Sequence, residues 1–208
     1  VVNRVENVAT VISGLDPERL VTLLARMCVH DMDTHVHLLG VAELTLRVSC
    51  ALGLEDAVVL QVATAALFHD IGKLDISPVI LRAPRPLRAP EWDEMRKHPS
   101  GGAWMLRQAG EAGLANIVMS HHERLDGSGY PHGLKGDQIP FGSQIISAVD
   151  SYDTMLYVRP YKAGRSHDDV ISELHQLAGR IYDRAIVDAL VSVTTQSEGT
   201  HRLHALRT

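Results

Sequence analysis

The chain has 208 residues, a formal charge of −5 and a pI near 6.2. That length suits one domain with a full hydrophobic core, and the mild acidity excludes the basic footprint of a protein that grips nucleic acid or anionic membrane without regard to sequence. Hydrophobic residues make up 45% and aromatics only 4%, so Ala, Leu and Val dominate and packed helices are favoured over sheets.

In chain order, Val1, Val5, Val8 and Ile12 form a heptad-like stripe that predicts a short helix able to pack against a partner helix. The chain opens Val1-Val2 rather than with Met and has no signal-peptide pattern, so residues 1–15 are expected to be a linker or signalling helix from an upstream sensor region. Asp16-Pro17 reads as an N-cap with Pro at the first helical position, opening a helix that buries Leu20, Leu23, Leu24 and Met27. A long helix from about Thr34 carries Leu38, Val41, Leu44, Val48 and Leu52 and closes at Gly53. The next runs from Glu55 into His69-Asp70. Its stretch 57–68, matched in length by 138–149 and exceeded by none without charge or His, falls short of the roughly 20 apolar residues of a membrane span.

Across 72–90, Pro78, Pro84, Pro86 and Pro90 rule out continuous helix and predict a long ordered loop or flap. Helices are expected over 91–97, 101–108 and 111–122, followed by a second long loop over 126–142 rich in glycine. Three further helices, 143–157, 166–179 and 183–193, complete an all-α fold of about seven to nine helices with two long ordered loops, a domain over 16–195 and a C-terminal tail over 196–208. Cys28 and Cys50 lie in apolar helical patterns without CxxC spacing, which reads as buried free thiols in a reducing cytoplasm.

Histidine carries the chemical signal. The chain holds 12, roughly three times the usual share, and several fall beside carboxylates at helix ends. Asp33 and His37, four apart, project from one helix face and could serve one metal ion, although such a pair is usually a surface hydrogen bond. His69-Asp70 ends an apolar helix and runs into Ile71-Gly72-Lys73. An Asp offers two oxygens, so Asp70 could bridge two ions while His69 serves one. His98 and His121-His122-Glu123 add three imidazoles from two segments, and Asp150 and Asp153 add carboxylates on one later helix face. Neutral imidazole with carboxylate suits iron, manganese or zinc, and two such ions can activate a bridging water while neutralising a phosphodiester. No HExxH spacing or EF-hand pattern of acids is present.

The string His69-Asp70-Ile71-Gly72-Lys73, then His98-Pro99, HHERLDGSGYP and DSYDTMLYVRPYK, resembles the HD-GYP family of cyclic di-GMP phosphodiesterases, over about Leu20 to Leu190. The resemblance implies an HD-superfamily helical domain. It also implies a metal ligand set of His37, His69, Asp70, His98, His121, His122 and Asp150, with Asp70 bridging two ions, iron or manganese. In the family's three-metal members Glu stands four residues before the first ligand His; here Asp33, one methylene shorter, holds that place as a candidate third-metal ligand. Gly40 and His35 also depart, standing where relatives often carry Arg and Gly. Lys73, Arg159 and Lys162 match residues that approach substrate phosphates, Lys73 and Asp153 match positions near the chemistry, and Gly129-Tyr130-Pro131 match the namesake loop. The expected reaction is hydrolysis of cyclic di-GMP by a metal-bridging hydroxide, giving pGpG and then GMP, with the loop also docking diguanylate cyclase (GGDEF) domains. Two alternatives stand beside it: a non-catalytic cyclic di-GMP-binding or protein-interaction module on the same scaffold, and a hydrolase of another nucleotide.

Overall fold

A computed structural model describes the backbone of residues 17–30, 32–156 and 165–205 and the side chains of 18–30, 34–156 and 165–195. The N-terminal stripe, Asp16, Arg159 and Lys162 lie outside the described residues, as does the side chain of Asp33. The α-helices of the described residues are α1 (Pro17–His30), α2 (Met32–Ala51), α3 (Asp56–Phe68), the single turn α4 (Pro78–Leu81), α5 (Ala89–Met95), α6 (His98–Gln108), α7 (Ala112–Met119), α8 (Phe141–Leu156), α9 (His167–Leu177) and α10 (Arg184–Ala205). Two 3-10 turns, Ile71–Asp75 and Gly136–Gln138, lie between them.

The apolar spacing explains which faces pack. Leu20, Leu23 and Met27 of α1 are buried, as are Leu38, Val41, Leu44 and Val48 of α2, each set recurring every three or four residues along one helix stripe. α3 is apolar nearly all round and correspondingly central, burying Val59, Leu60, Val62, Ala65, Ala66 and Phe68. It packs against α2 and α7, while α8 packs on α2 and α10 covers α2 and α8. The segment Asp56–Asp75 is long and apolar enough to cross a membrane by composition, yet 56% of its most apolar window is buried inside the protein. Its hydrophobicity thus serves the core that delivers His69 and Asp70.

Several boundaries differ from the sequence reading, mostly because proline is tolerated in a first helical turn. Pro78 begins α4, capped by the Ser77 hydroxyl accepting from the Val79 N–H, and Pro90 and Pro99 sit in the first turns of α5 and α6. The stretch read as one long loop is therefore a 3-10 turn, α4 and a tethered connection. Glu91 accepts from the Arg88 N–H at 2.8 Å and takes both guanidinium nitrogens of Arg85 at 2.8 and 2.7 Å. α10 continues to Ala205. Cys28 and Cys50 are free but half-buried rather than buried.

Gly72 shows why the turn after Asp70 needs glycine. A Cβ there would sit 2.0 Å from the His98 carbonyl oxygen and 2.5 Å from the Gly102 nitrogen, so the 3-10 turn lies backbone to backbone on the start of α6. That contact brings the end of α3 to the start of α6.

Candidate metal centre

Three helix ends point their imidazoles at one place by the same device. The last carbonyls of an α-helix lack an intrahelical partner, and here His69, His98 and His121 each use Nδ1 to satisfy the carbonyl three residues back: Ala66 at 2.7 Å, Met95 at 2.8 Å and Val118 at 2.6 Å. A neutral ring that donates through Nδ1 presents Nε2 as a lone pair, so these contacts fix both tautomer and aim. Two consequences follow. His98 Nε2 and His121 Nε2 face each other at 3.2 Å, close enough for one cation to take both. His69 Nε2 is wholly buried and has no hydrogen-bond partner, a state that ordinarily costs about 1–3 kcal/mol.

Asp70 lies between two sets of donors. Its Oδ1 is 3.1 Å from His98 Nε2, and its Oδ2 is 3.4 Å from His69 Nε2 and 3.9 Å from His37 Nε2. One atom from each of Asp70, His98, His121 and His122 falls within 4.8 Å of the others, and so do atoms of His37, His69 and Asp70. The two groups share only Asp70. Asp150, from α8, closes the second group, with Oδ1 at 3.1 Å from His37 Nε2 and 3.9 Å from His69 Nε2. The seven side chains expected as ligands are thus assembled from α2, the end of α3, the start of α6, the segment after α7, and α8.

The charges respond to burial and to one another. Burial drives His69, His121 and His122 below the usual histidine range, which keeps them neutral and ready to donate to a cation. His37 goes the other way. Burial opposes its charge, but hydrogen bonds to Asp150 and to Asp153, the latter at 2.6 Å from Nδ1, outweigh it and raise its pKa to about 10. Asp70 is disfavoured by burial, yet Lys73, bonded to Oδ2, and the neighbouring imidazoles hold it ionised well below the carboxylate range. Asp150 is likewise ionised despite burial, through His37 and the other rings. The neutral rings of His69, His121 and His122 beside ionised Asp70 and Asp150, together with the orphaned His69 Nε2, fit divalent metal ions, with His37 giving up a proton to join them.

The remaining candidates divide. Asp153 faces His37 Nδ1 and so acts on the site through that ring. Lys73 stands against Asp70. Tyr130 stacks on His122 with centroids 4.7 Å apart, and burial followed by Asp70 and Asp150 pushes its phenol pKa up. Gly127 and Gly133 have positive φ, as expected of that loop, but Gly129 does not. Gly129 is needed for space instead, since a Cβ would meet Glu123 Cα at 2.4 Å and the Arg124 nitrogen at 2.5 Å. Asp33 is placed by its backbone in α2, one turn before His37.

Glu123 was passed over by pattern reading. It is 1% exposed, and its carboxylate accepts from the His132 and Leu134 N–H groups at 2.7 and 3.0 Å, pinning the GYP loop to the segment that carries His121 and His122. An acid immediately after two clustered histidines and just ahead of a glycine loop was the available signal.

Comparison with known proteins gives this arrangement its context. The HD domain family model matches residues 13–186. A cyclic di-GMP phosphodiesterase of Thermotoga maritima is 35% identical over 83% of this chain and 48% of its own length. The cyclic di-GMP phosphodiesterase response regulator RpfG of Xanthomonas campestris is 37% identical over 71% of this chain and 40% of its own. The chain therefore spans about half the length of the curated relatives it matches or less. Among solved structures, an HDGYP protein from Bdellovibrio bacteriovorus superimposes with a TM-score of 0.64 over 77% of this chain and 52% of that one, at 19% identity, a likeness of fold.

Proposed function

This chain belongs to the HD domain family, and from that premise we propose that it hydrolyses cyclic di-GMP to linear pGpG, with GMP as the product of a second cut. The observation that carries the reading is the division of Asp70 between two imidazole groups, with His69 Nε2 buried and partnerless beside it. The complete set of seven side chains gathered around that carboxylate supports turnover over the non-catalytic alternative.

The proposed ligands are His98, His121 and His122 for one ion, His37, His69 and Asp150 for another, and Asp70 for both, with iron or manganese as the ions. Asp33 is the proposed ligand of an optional third. Bound there, such ions would supply Lewis acidity to the phosphoryl group and acidify water. The chain's own residues then bind and orient. Lys73, 21% exposed in its side chain and already held by Asp70, is placed to meet a phosphate oxygen. Asp153 orients His37. Tyr130, which stacks on His122, is proposed with Gly129 and Pro131 to line the substrate site, and Arg159 and Lys162 to meet the dinucleotide's phosphates. We assign the domain to the cytoplasm, in keeping with its two free cysteines. The GYP loop is the proposed docking surface for diguanylate cyclase domains, and residues 1–15 the link to a sensor.

The test is chromatography of cyclic di-GMP after incubation with protein loaded anaerobically with Fe²⁺ or Mn²⁺. pGpG should appear with the wild type and disappear with His69→Ala and Asp70→Ala. An intact dinucleotide in every sample would overturn the reading.

A further inference from the structure

The proposed metal ligands share Asp70, against which Lys73 stands, whereas the proposed substrate is a cyclic dinucleotide with two phosphodiesters. Arg159 and Lys162, proposed above for the dinucleotide's phosphates, lie outside the described residues, and on a chain with a net charge of −5 a further phosphate contact calls for a local cation.

Arg96 has the required placement. It is the C-cap of α5, its backbone N–H bonded to the Trp92 carbonyl at 2.9 Å, and it lies two residues before His98, whose Nδ1 is fixed by the Met95 carbonyl. Its backbone is therefore tied to the metal centre. Its guanidinium carbon is 5.6 Å from the centroid of the Tyr130 ring, and Tyr130 stacks in turn on His122. A continuous series of contacts leads from half-buried His122 through Tyr130 to the exposed Arg96.

The partners of neighbouring cations sharpen the case. Arg85 and Arg88 are taken up by Glu91, and Lys97 by Glu94. The Arg96 guanidinium has no hydrogen bond or ion pair among the described residues, and the contact it makes there is with the face of the Tyr130 ring. An aromatic platform orients the guanidinium plane without consuming its five N–H donors, and a planar fork left open suits bidentate recognition of a phosphate.

We propose that Arg96, oriented by Tyr130, is a substrate-positioning residue that clamps the phosphate of the cyclic dinucleotide not undergoing cleavage. This rests on the function proposed above, and the test separates the two. Steady-state kinetics of the metal-loaded full chain are compared for cyclic di-GMP and for bis(p-nitrophenyl) phosphate, a phosphodiester with no second phosphate. Arg96→Ala should raise KM for cyclic di-GMP about tenfold while kcat changes by less than about twofold. Kinetics on the small diester and metal content should stay as in the wild type, and Arg96→Lys, which keeps charge but loses the fork, should fall between. Unchanged kinetics on both substrates would overturn the clamp, as would an equal loss on both, which marks a structural role. A wild type that cleaves the small diester and leaves cyclic di-GMP intact would remove the functional reading and this inference with it.

Discussion

His37 is the residue at which the metal-free site is least like a loaded one. Both its nitrogens donate to carboxylates, Nε2 toward Asp150 and Nδ1 to Asp153, so in the metal-free protein it is an imidazolium with a pKa of about 10. Because that value exceeds 6.5, the ordinary one, the pairing stabilises the metal-free fold fully below pH 6.5, and the contribution fades as pH rises toward 10. Metal must displace the Nε2 proton, so uptake should release about one proton per chain and tighten by up to about tenfold per pH unit between 6.5 and 9. Calorimetry in buffers of different ionisation enthalpy reads this directly; release of no proton would contradict the assignment. The same geometry gives Asp153→Ala a defined effect, because the ring loses its outer anchor. Metal affinity should fall by about 10- to 100-fold in a competition titration, with Asp153→Glu recovering part of it. At this scale the sequence was informative about which side chains gather, since His69-Asp70, His98 and His121-His122 sit in spaced motifs. It could not show that three rings are aimed by carbonyls one turn back, nor that Asp153 faces His37, because those contacts depend on how helices end and cross.

At the scale of elements, the GYP loop depends on Glu123 and Gly129. Glu123→Gln would turn an amide N–H₂ toward one of two backbone donors, and a buried mismatch of that kind costs about 1–3 kcal/mol. Thermal unfolding should therefore drop by several degrees. Gly129→Ala has no flexible side chain to push aside, since its contacts are backbone atoms of Glu123 and Arg124, so the loop must shift and Tyr130 must leave His122. A loss of about 1–3 kcal/mol is expected, read by denaturant titration. The helix stripes of α1, α2 and α3 were legible because Leu, Val and Met recur at three- and four-residue spacing. The stretch from Gly72 to Pro90 was not, because proline both breaks a helix and begins one, and only Ser77, Glu91 and the first-turn positions decide between them.

Over the whole molecule, the centre draws side chains from α2, α3, α6, the end of α7 and α8, the helices that make most of the core. Metal binding is therefore linked to global stability rather than to one loop. A ligand present at about 100 times its dissociation constant adds about 2.7 kcal/mol, so chelation should lower the melting temperature by about 5–10 °C, and excess Mn²⁺ should restore it. An unchanged melting curve would mean that the cluster holds no metal. Composition and periodicity were enough to indicate an all-α chain, and the ordered motifs were enough to resemble the HD-GYP family. How five segments converge on one carboxylate is a property of the tertiary fold and could be read only there.

That carboxylate gives the most direct test. Metal content per chain, measured on anaerobically loaded wild type and Asp70→Asn, should fall from about two ions to about one or fewer, because an amide leaves one weak oxygen where two anionic ones joined the sites. An Asp70→Asn protein that kept the full wild-type complement would contradict the shared-carboxylate centre on which the account stands.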